Sequence, residues 1–174
     1  MSATSIVQYP DSLLRQQSLD VTEFDDSLKA LADNLKDTLY STSGIGLCAP
    51  QIGHSIRLLI MDLSDDHSAP EVFVNPTIRN RAGLAIAEER CLSLPGVAAK
   101  VMRSGQVLLQ AHDLNGDVFE REYEGMKAVC LQHEIDHLEG KLFIDRISRL
   151  RSLLFRRTLQ ALENNPNATV PQPV

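Results

Sequence analysis

The chain has 174 residues, of which 43% are hydrophobic and 23% charged, and its formal net charge is −6. These values suit one soluble globular domain and weigh against a DNA groove or an anionic membrane surface as the main partner. No apolar run reaches membrane-spanning length, residues 1–18 lack a signal-peptide core, and Cys48, Cys91 and Cys130 form an odd, sparse set that suits a reducing cytoplasm.

Tyr9-Pro10-Asp11 is a turn signal. Residues 25–40 predict the first helix, because Leu28, Leu31, Ala32, Leu35 and Leu39 fall on one stripe of 3.6-residue period. Asp25 or Asp26 can cap it, and Phe24 can pack at its entry. Residues 43–53 carry three glycines and Pro50, and predict neither helix nor regular strand. Ile45, Leu47 and Ile52 suggest that this loop lies against a core or a pocket wall. No Lys-Ser/Thr pair follows the glycines, so a phosphate loop is a poor reading.

Strands are predicted over 56–62, 72–74 (ending at Asn75-Pro76), 84–87, 97–102, 106–112 and 118–123. Asn115-Gly116 between the last two is a hairpin turn signal. The last helix is predicted over 148–162, with Leu150, Leu153, Leu154, Ala161 and Leu162 as its apolar set. Arg146, Arg149, Arg151, Arg156 and Arg157 give it a basic face, either a solvated surface or a docking surface for an acidic partner such as ribosomal RNA. Residues 164–174 are rich in Pro and Asn and predict a disordered tail, which leaves residues 1–163 as a single domain. The class is α+β.

A central helix is predicted over 125–138, and it contains Gln132-His133-Glu134-Ile135-Asp136-His137. On a helix His133 and His137 project from one face, one turn apart, so two neutral imidazoles can grip one divalent metal. Glu134 then stands beside the metal, where it can take a proton from water. The same spacing also fits an ordinary helix with two surface histidines. Ala128, Leu131, Ile135 and Leu138 form a core-facing stripe. Met126, Val129 and Cys130 continue the histidine face, as more core or as the wall of an apolar pocket.

A catalytic site of this kind needs a third protein ligand. The metzincin spacing would put a histidine where Phe143 stands, and a downstream glutamate is offered only by Glu163. Cys91, in the segment Glu88-Glu89-Arg90-Cys91-Leu92-Ser93-Leu94-Pro95-Gly96, is the better candidate. A thiolate binds divalent metals well. An inert buried cysteine is the other reading.

Three motifs occur in order: Gly44-Ile45-Gly46-Leu47-Cys48-Ala49-Pro50-Gln51, then Cys91-Leu92-Ser93-Leu94-Pro95-Gly96, then Gln132 through Gly140. Together they resemble the peptide deformylase family closely, and the likeness runs from Tyr9-Pro10-Asp11 through the last helix. The resemblance implies antiparallel sheets packed around a central metal-binding helix, with N-terminal and C-terminal helices. It implies a cytoplasmic hydrolase that removes the N-formyl group from formyl-methionyl nascent chains. By resemblance, Cys91, His133 and His137 bind one divalent ion, Fe²⁺ first, with Zn²⁺, Ni²⁺ or Co²⁺ able to substitute. Glu134 is the implied proton carrier, and Gln51 and the backbone N–H of Leu92 the implied oxyanion donors. Gly46 is the implied contact to the substrate backbone. Ile45, Met126, Val129 and Cys130 form the implied methionine slot.

Two positions depart from the family pattern. Cys48 stands where Ala is usual, a small-for-small exchange. Arg90 stands where Gly is usual, and would be strained if that position needed a positive φ. Its guanidinium can favour the Cys91 thiolate, select acidic peptides or obstruct the groove. Arg103 is expected to pair with Glu89 or Asp136 and so hold the Cys91 loop against the helix, unless it is a plain surface residue. Two further readings are a same-fold amidohydrolase whose substrate is shifted by Arg90, and a non-catalytic relative that binds nascent chains or ribosomes. A monomer is expected.

Overall fold

The computed structural model describes residues 3–164. Helix α1 (Asp26–Tyr40) starts where Asp25 accepts hydrogen bonds from the backbone N–H groups of Ser27 (3.0 Å) and Leu28 (3.1 Å). The cap satisfies donors that the first turn leaves free. The strands are β1 (Gly46–Cys48), β2 (Leu58–Met61), β3 (Glu71–Ala82), β4 (Ala85–Cys91), β5 (Leu94–Arg103), β6 (Gln106–His112) and β7 (Val118–Glu124). Helices α2 (Gly125–Leu138) and α3 (Arg149–Asn164) follow.

Five strands form one antiparallel sheet in the order β1-β2-β3-β6-β7, and β4 and β5 form a separate hairpin. The four residues of β2 are all buried, because both faces of the sheet are covered. Leu59, Met61 and Phe73 point to one face and pack with Ala128, Leu131, Ile135 and Leu138 of α2. Leu58, Ile60 and Val74 point to the other and pack with Leu28, Ala32, Leu35 and Leu39 of α1. The period-2 alternation of the strands thus meets the 3.6-period stripes of two helices. A third cluster joins Cys91, Leu94, Val97 and Val101 of the hairpin to Leu14, Leu142 and Phe143, and Phe155 and Leu159 of α3 pack against it.

The predicted α1, β6, β7 and α2 match the structure closely, and Gly116 turns the β6–β7 hairpin at φ 88°. Several expectations need correction. Residues 43–53 are not all loop, since β1 and the 3-10 turn Ala49–Ile52 lie there. Strand β3 does not end at Asn75-Pro76 but runs on to Ala82, through a register shift between Val74 and Thr77. A bulge accepts an asparagine at φ 51° and a proline that no ladder bond needs. The Asn75 side chain also accepts from Val21 N (2.8 Å) and donates to Val21 O (2.9 Å).

The two stripes of α2 are not an inside and an outside: every residue over 128–138 is buried. The sheet covers one side and the β4–β5 hairpin with the turn Phe143–Arg146 covers the other. Arg146 sits in that turn, not on α3. Leu153 is 51% exposed rather than core. The side chains of Arg149, Leu150, Arg151 and Leu154 lie outside the described residues, as does the predicted tail over 165–174, while Asn164 ends α3.

Asp62 closes the end of β2 onto α1. Its buried carboxylate accepts from Tyr40 OH (2.7 Å), Ser64 N (2.8 Å) and Ser64 Oγ (2.5 Å). Burial raises its pKa, but these hydrogen bonds outweigh burial and bring it down to about 2 from 3.8. A carboxyl depressed in the folded state stabilises the fold above its unfolded value and loses that contribution as pH falls towards the folded one. Asp62→Asn is therefore expected to lose about 1–3 kcal/mol at pH 7. Denaturant melts should show the gap to wild type narrowing as pH falls from about 4 towards 2.

Candidate metal centre and its cavity

The hairpin and α2 bring three donors together from different parts of the chain. Cys91 ends β4, and His133 and His137 stand one turn apart on α2 with ring centroids 5.1 Å apart. Cys91 Sγ lies 3.1 Å from His137 Nε2, and one donor atom from each of the three residues lies within 4.8 Å of the others. Burial raises the Cys91 thiol, but His137 and His133 outweigh it and bring its pKa down to about 5. Burial opposes a proton on His133, but the Cys91 and Glu89 interactions prevail and raise its pKa well above the usual value. The cluster therefore attracts positive charge to the point where the donors converge. One thiolate and two imidazoles fit a divalent cation with one position left open.

His133 is oriented from behind. Its Nδ1 lies 2.8 Å from Glu89 Oε2, which leaves Nε2 to face Cys91. Arg103 donates from Nε to Glu89 Oε1 (2.7 Å), from Nη2 to Glu89 Oε2 (2.8 Å) and from Nη1 to Asp136 Oδ2 (2.5 Å). The Arg103 and Glu89 side chains are only 4% and 5% exposed. Arg103 thus meets both partners expected for it, rather than one or the other.

Glu134 is buried, and its Oε2 has no hydrogen-bond partner among the described residues. Burial raises its pKa against the pull of His133 and His137. Gly46 allows the β1 backbone to approach this carboxylate. A Cβ there would lie 2.7 Å from Glu134 Oε1 and 2.7 Å from Cys130 Sγ. Gln51 is locked by the turn after β1: its Oε1 accepts from Cys48 N (3.0 Å) and Cys48 Sγ (3.2 Å). Its Nε2 therefore points into the site, 3.7 Å from Cys91 Sγ and 3.2 Å from Ser93 Oγ. The N-terminal segment ties these walls together, through Val7 N to Gln51 O and Tyr9 N to Ser93 O, both 2.8 Å.

These groups sit in a cavity of about 790 Å³. Of the predicted site residues, Ile45, Gly46, Gln51, Arg90, Cys91, Leu92, Met126, Val129, Cys130, His133 and Glu134 all line it. His137 lies beneath Cys91, 1% exposed. Met126 is 52% exposed at the mouth, and Val129 and Cys130 are buried deeper. The helix face that periodicity alone favoured as core is therefore a cavity wall.

Arg90 carries no backbone strain. It belongs to β4, and the only non-glycine residues with positive φ among the described ones are His67 and Asn75. Its guanidinium donates to Glu88 Oε1 (3.1 Å) at the cavity edge. Sequence reasoning missed Gln8 as a wall, Ser93 as the partner of the Gln51 amide, and Arg146 and Phe143 as supports. Ser93 stood in a quoted motif without a role, and nothing in the pattern around Gln8 marked it.

The fold and this site define a metal-dependent hydrolase of α+β class. The sequence profile described as polypeptide deformylase matches residues 3–152. A peptide deformylase of Acidobacterium capsulatum is 47% identical over 160 residues, covering 90% of this chain and 94% of that protein. One from Alkalilimnicola ehrlichii is 43% identical over 163 residues, covering 93% and 92%. The crystal structure of a peptide deformylase from Legionella pneumophila has a TM-score of 0.87 at 42% identity, covering 94% of this chain and 96% of that one. That from Thermotoga maritima has 0.81 at 37% identity, covering 85% and 99%. This chain belongs to the peptide deformylase family.

Loss of one donor should empty the centre. Cys91→Ala is expected to fall from about one bound Zn²⁺ per chain to well below half after dialysis, by atomic absorption. Gln51→Ala, which alters the same cavity without removing a donor, should keep its metal.

Proposed function

We propose that residues 1–163 act as one catalytic domain that hydrolyses the N-formyl group of formyl-methionyl peptides. The observation that carries this reading is Glu134 Oε2, a buried carboxylate oxygen on the cavity wall without a partner among the described residues, beside three converging metal donors. Cys91, His133 and His137 would hold a divalent ion, which would supply Lewis acidity to the formyl carbonyl and to water. Fe²⁺ is the proposed native ion, on the family resemblance, and Zn²⁺, Ni²⁺ and Co²⁺ suit the same donors.

The remaining work falls to side chains of this chain. Glu134 takes the proton of the attacking water as oxygen adds to the formyl carbon, and gives a proton to the amine as the C–N bond breaks. Formate and a free N-terminus result. Gln51 Nε2 and the Leu92 N–H donate to the developing oxyanion, from positions set before the reaction begins. Gly46 meets the peptide backbone, while Ile45, Met126, Val129 and Cys130 receive the methionine side chain, whose thioether suits an apolar slot. Arg90, with Glu88 beside it, meets the peptide further from the reacting bond.

The chain is proposed to work as a monomer in the cytoplasm, and among the described residues no helix is long and apolar enough to cross a membrane. A ribosome contact through α3 would use the exposed Arg156 and Arg157, and not Arg146, which lies before that helix with its guanidinium bound to Asp136. A binding-only relative is the weaker reading, because it would have no use for Glu134 and Gln51 at the metal donors.

The decisive assay is release of formate from formyl-Met-Ala-Ser by protein loaded anaerobically with Fe²⁺ or Ni²⁺. Glu134→Ala is expected to lose about 10²–10⁴-fold in kcat with metal still bound. Undiminished turnover by that variant would sink the assignment of the proton carrier, and no turnover by the loaded wild type would sink the substrate. Gly46→Ala should lose about 10²-fold, because its methyl group displaces Glu134.

A further inference from the structure

The rear of the metal centre ends at a residue that the reaction does not use. Asp136 is 4% exposed and accepts from two guanidiniums. Arg103 reaches its Oδ2 from within, at 2.5 Å. Arg146 reaches it from outside, with Nε to Oδ2 at 3.0 Å and Nη2 to Oδ1. Arg146 is the only donor to Oδ1 in the described hydrogen-bond network. The chain of contacts therefore reads Arg146, Asp136, Arg103, Glu89, His133, with each carboxylate held between two donors.

We propose that Arg146 is a positioning residue for the metal ligand His133. The inference rests on the metal-centre reading above. The bidentate grip of Arg146 fixes the plane of the Asp136 carboxylate, so that Oδ2 faces Arg103. Arg103 in turn donates from Nε and Nη2 to the two oxygens of Glu89, whose Oε2 sets the His133 ring. Without Arg146, Asp136 can turn about its side chain towards the polar cavity of about 410 Å³ that Arg103, Asp136 and Arg146 themselves line. Each link then gains freedom, and the imidazole loses its fixed approach.

The turn that carries Arg146 touches His133 a second time. Phe143, at the other end of Phe143–Arg146, is 1% exposed and stacks on the His133 ring, with centroids 6.0 Å apart and planes at 24°. The turn is itself anchored, since Asp145 Oδ2 accepts from Leu142 N (2.9 Å) and Arg15 Nη1 (2.5 Å). One four-residue turn thus confines the ring by packing and by charge. Arg146 is 41% exposed on its outer side, so its replacement need not open the core.

The test is Co²⁺ affinity by chelator competition, with the Nδ1 proton of His133 followed by NMR, on wild type, Arg146→Met, Arg146→Lys and Arg15→Met. Arg146→Met is expected to bind Co²⁺ about tenfold more weakly, the lower end of what outer-sphere partners of metal ligands contribute, and to broaden or shift the His133 signal. Arg146→Lys keeps the charge but loses the two-pronged grip, so it should fall two- to fourfold below wild type, roughly. Arg15→Met breaks an ion pair to the same turn outside the relay and should stay within about twofold. Equal affinity in wild type and both Arg146 variants, with only the melting temperature lowered, would make Arg146 merely structural and overturn the proposal. An equal loss in Arg15→Met would overturn it too, by assigning the effect to the turn as a whole. If Arg146→Met does not fold, Arg146→Lys decides alone, with wild-type affinity counting against. A wild type that binds no Co²⁺ would overturn the metal-centre reading and this proposal with it, a result distinct from the others.

Discussion

The buried clasp of Arg103 on Glu89 and Asp136 is the constraint on which the site depends. The thiolate comes from a β-hairpin and the imidazoles from a helix, and the hairpin is not part of the main sheet. Apolar packing can bring two such elements together, but it is non-directional and tolerates small slides. A guanidinium fork with five donors in one plane does not. Its desolvation is costly, and buried ion pairs contribute little net stability for that reason. Their value here lies in geometry: Glu89 on the hairpin and Asp136 on the helix cannot shift without breaking charged hydrogen bonds.

The main sheet supplies the other wall by an opposite device. Where the hairpin is clasped by large charged side chains, β1 approaches α2 because Gly46 has no side chain at all. The next residues then leave the strand as a tight turn, which points the Gln51 amide back into the cavity. Coverage of the sheet on both faces makes this arrangement rigid, since β1 and β2 have no solvent side on which to relax. Four walls of different origin (strand, turn, hairpin and helix) meet around one carboxylate.

Electrostatics inside the cavity follow from that enclosure. Burial alone would neutralise Cys91 and protonate Glu134. The imidazoles reverse the first effect, while the second persists. Two acids that line one cavity are thus pushed in opposite directions, towards a thiolate suited to binding a cation and a carboxyl suited to exchanging a proton. The two remaining thiols, Cys48 and Cys130, have pKa values raised well above the ordinary by burial, which favours their neutral form.

Much of this was legible in the order of residues. The stripe of α1, the hairpin at Asn115-Gly116, the limits of α2 and the pairing of His133 with His137 depend on neighbours within a few positions. Periodicity and turn chemistry report such neighbours directly. The three motifs carried the family, and with it the fold and the donor set. Tertiary structure decided what rests on distant partners. Strand β3 survives Asn75-Pro76 because Val21, 54 positions away, takes up the Asn75 side chain. Arg146 looked like one of several arginines on a basic helix, but it stands in the turn before that helix, with its guanidinium on the buried Asp136. Arg90 looked like a strained intruder, but an extended strand accepts any side chain there. The stripe of Met126, Val129 and Cys130 became a cavity wall only because the hairpin stands off from it. In each case local pattern states what a residue prefers, and the fold decides which charge, backbone or empty space it meets.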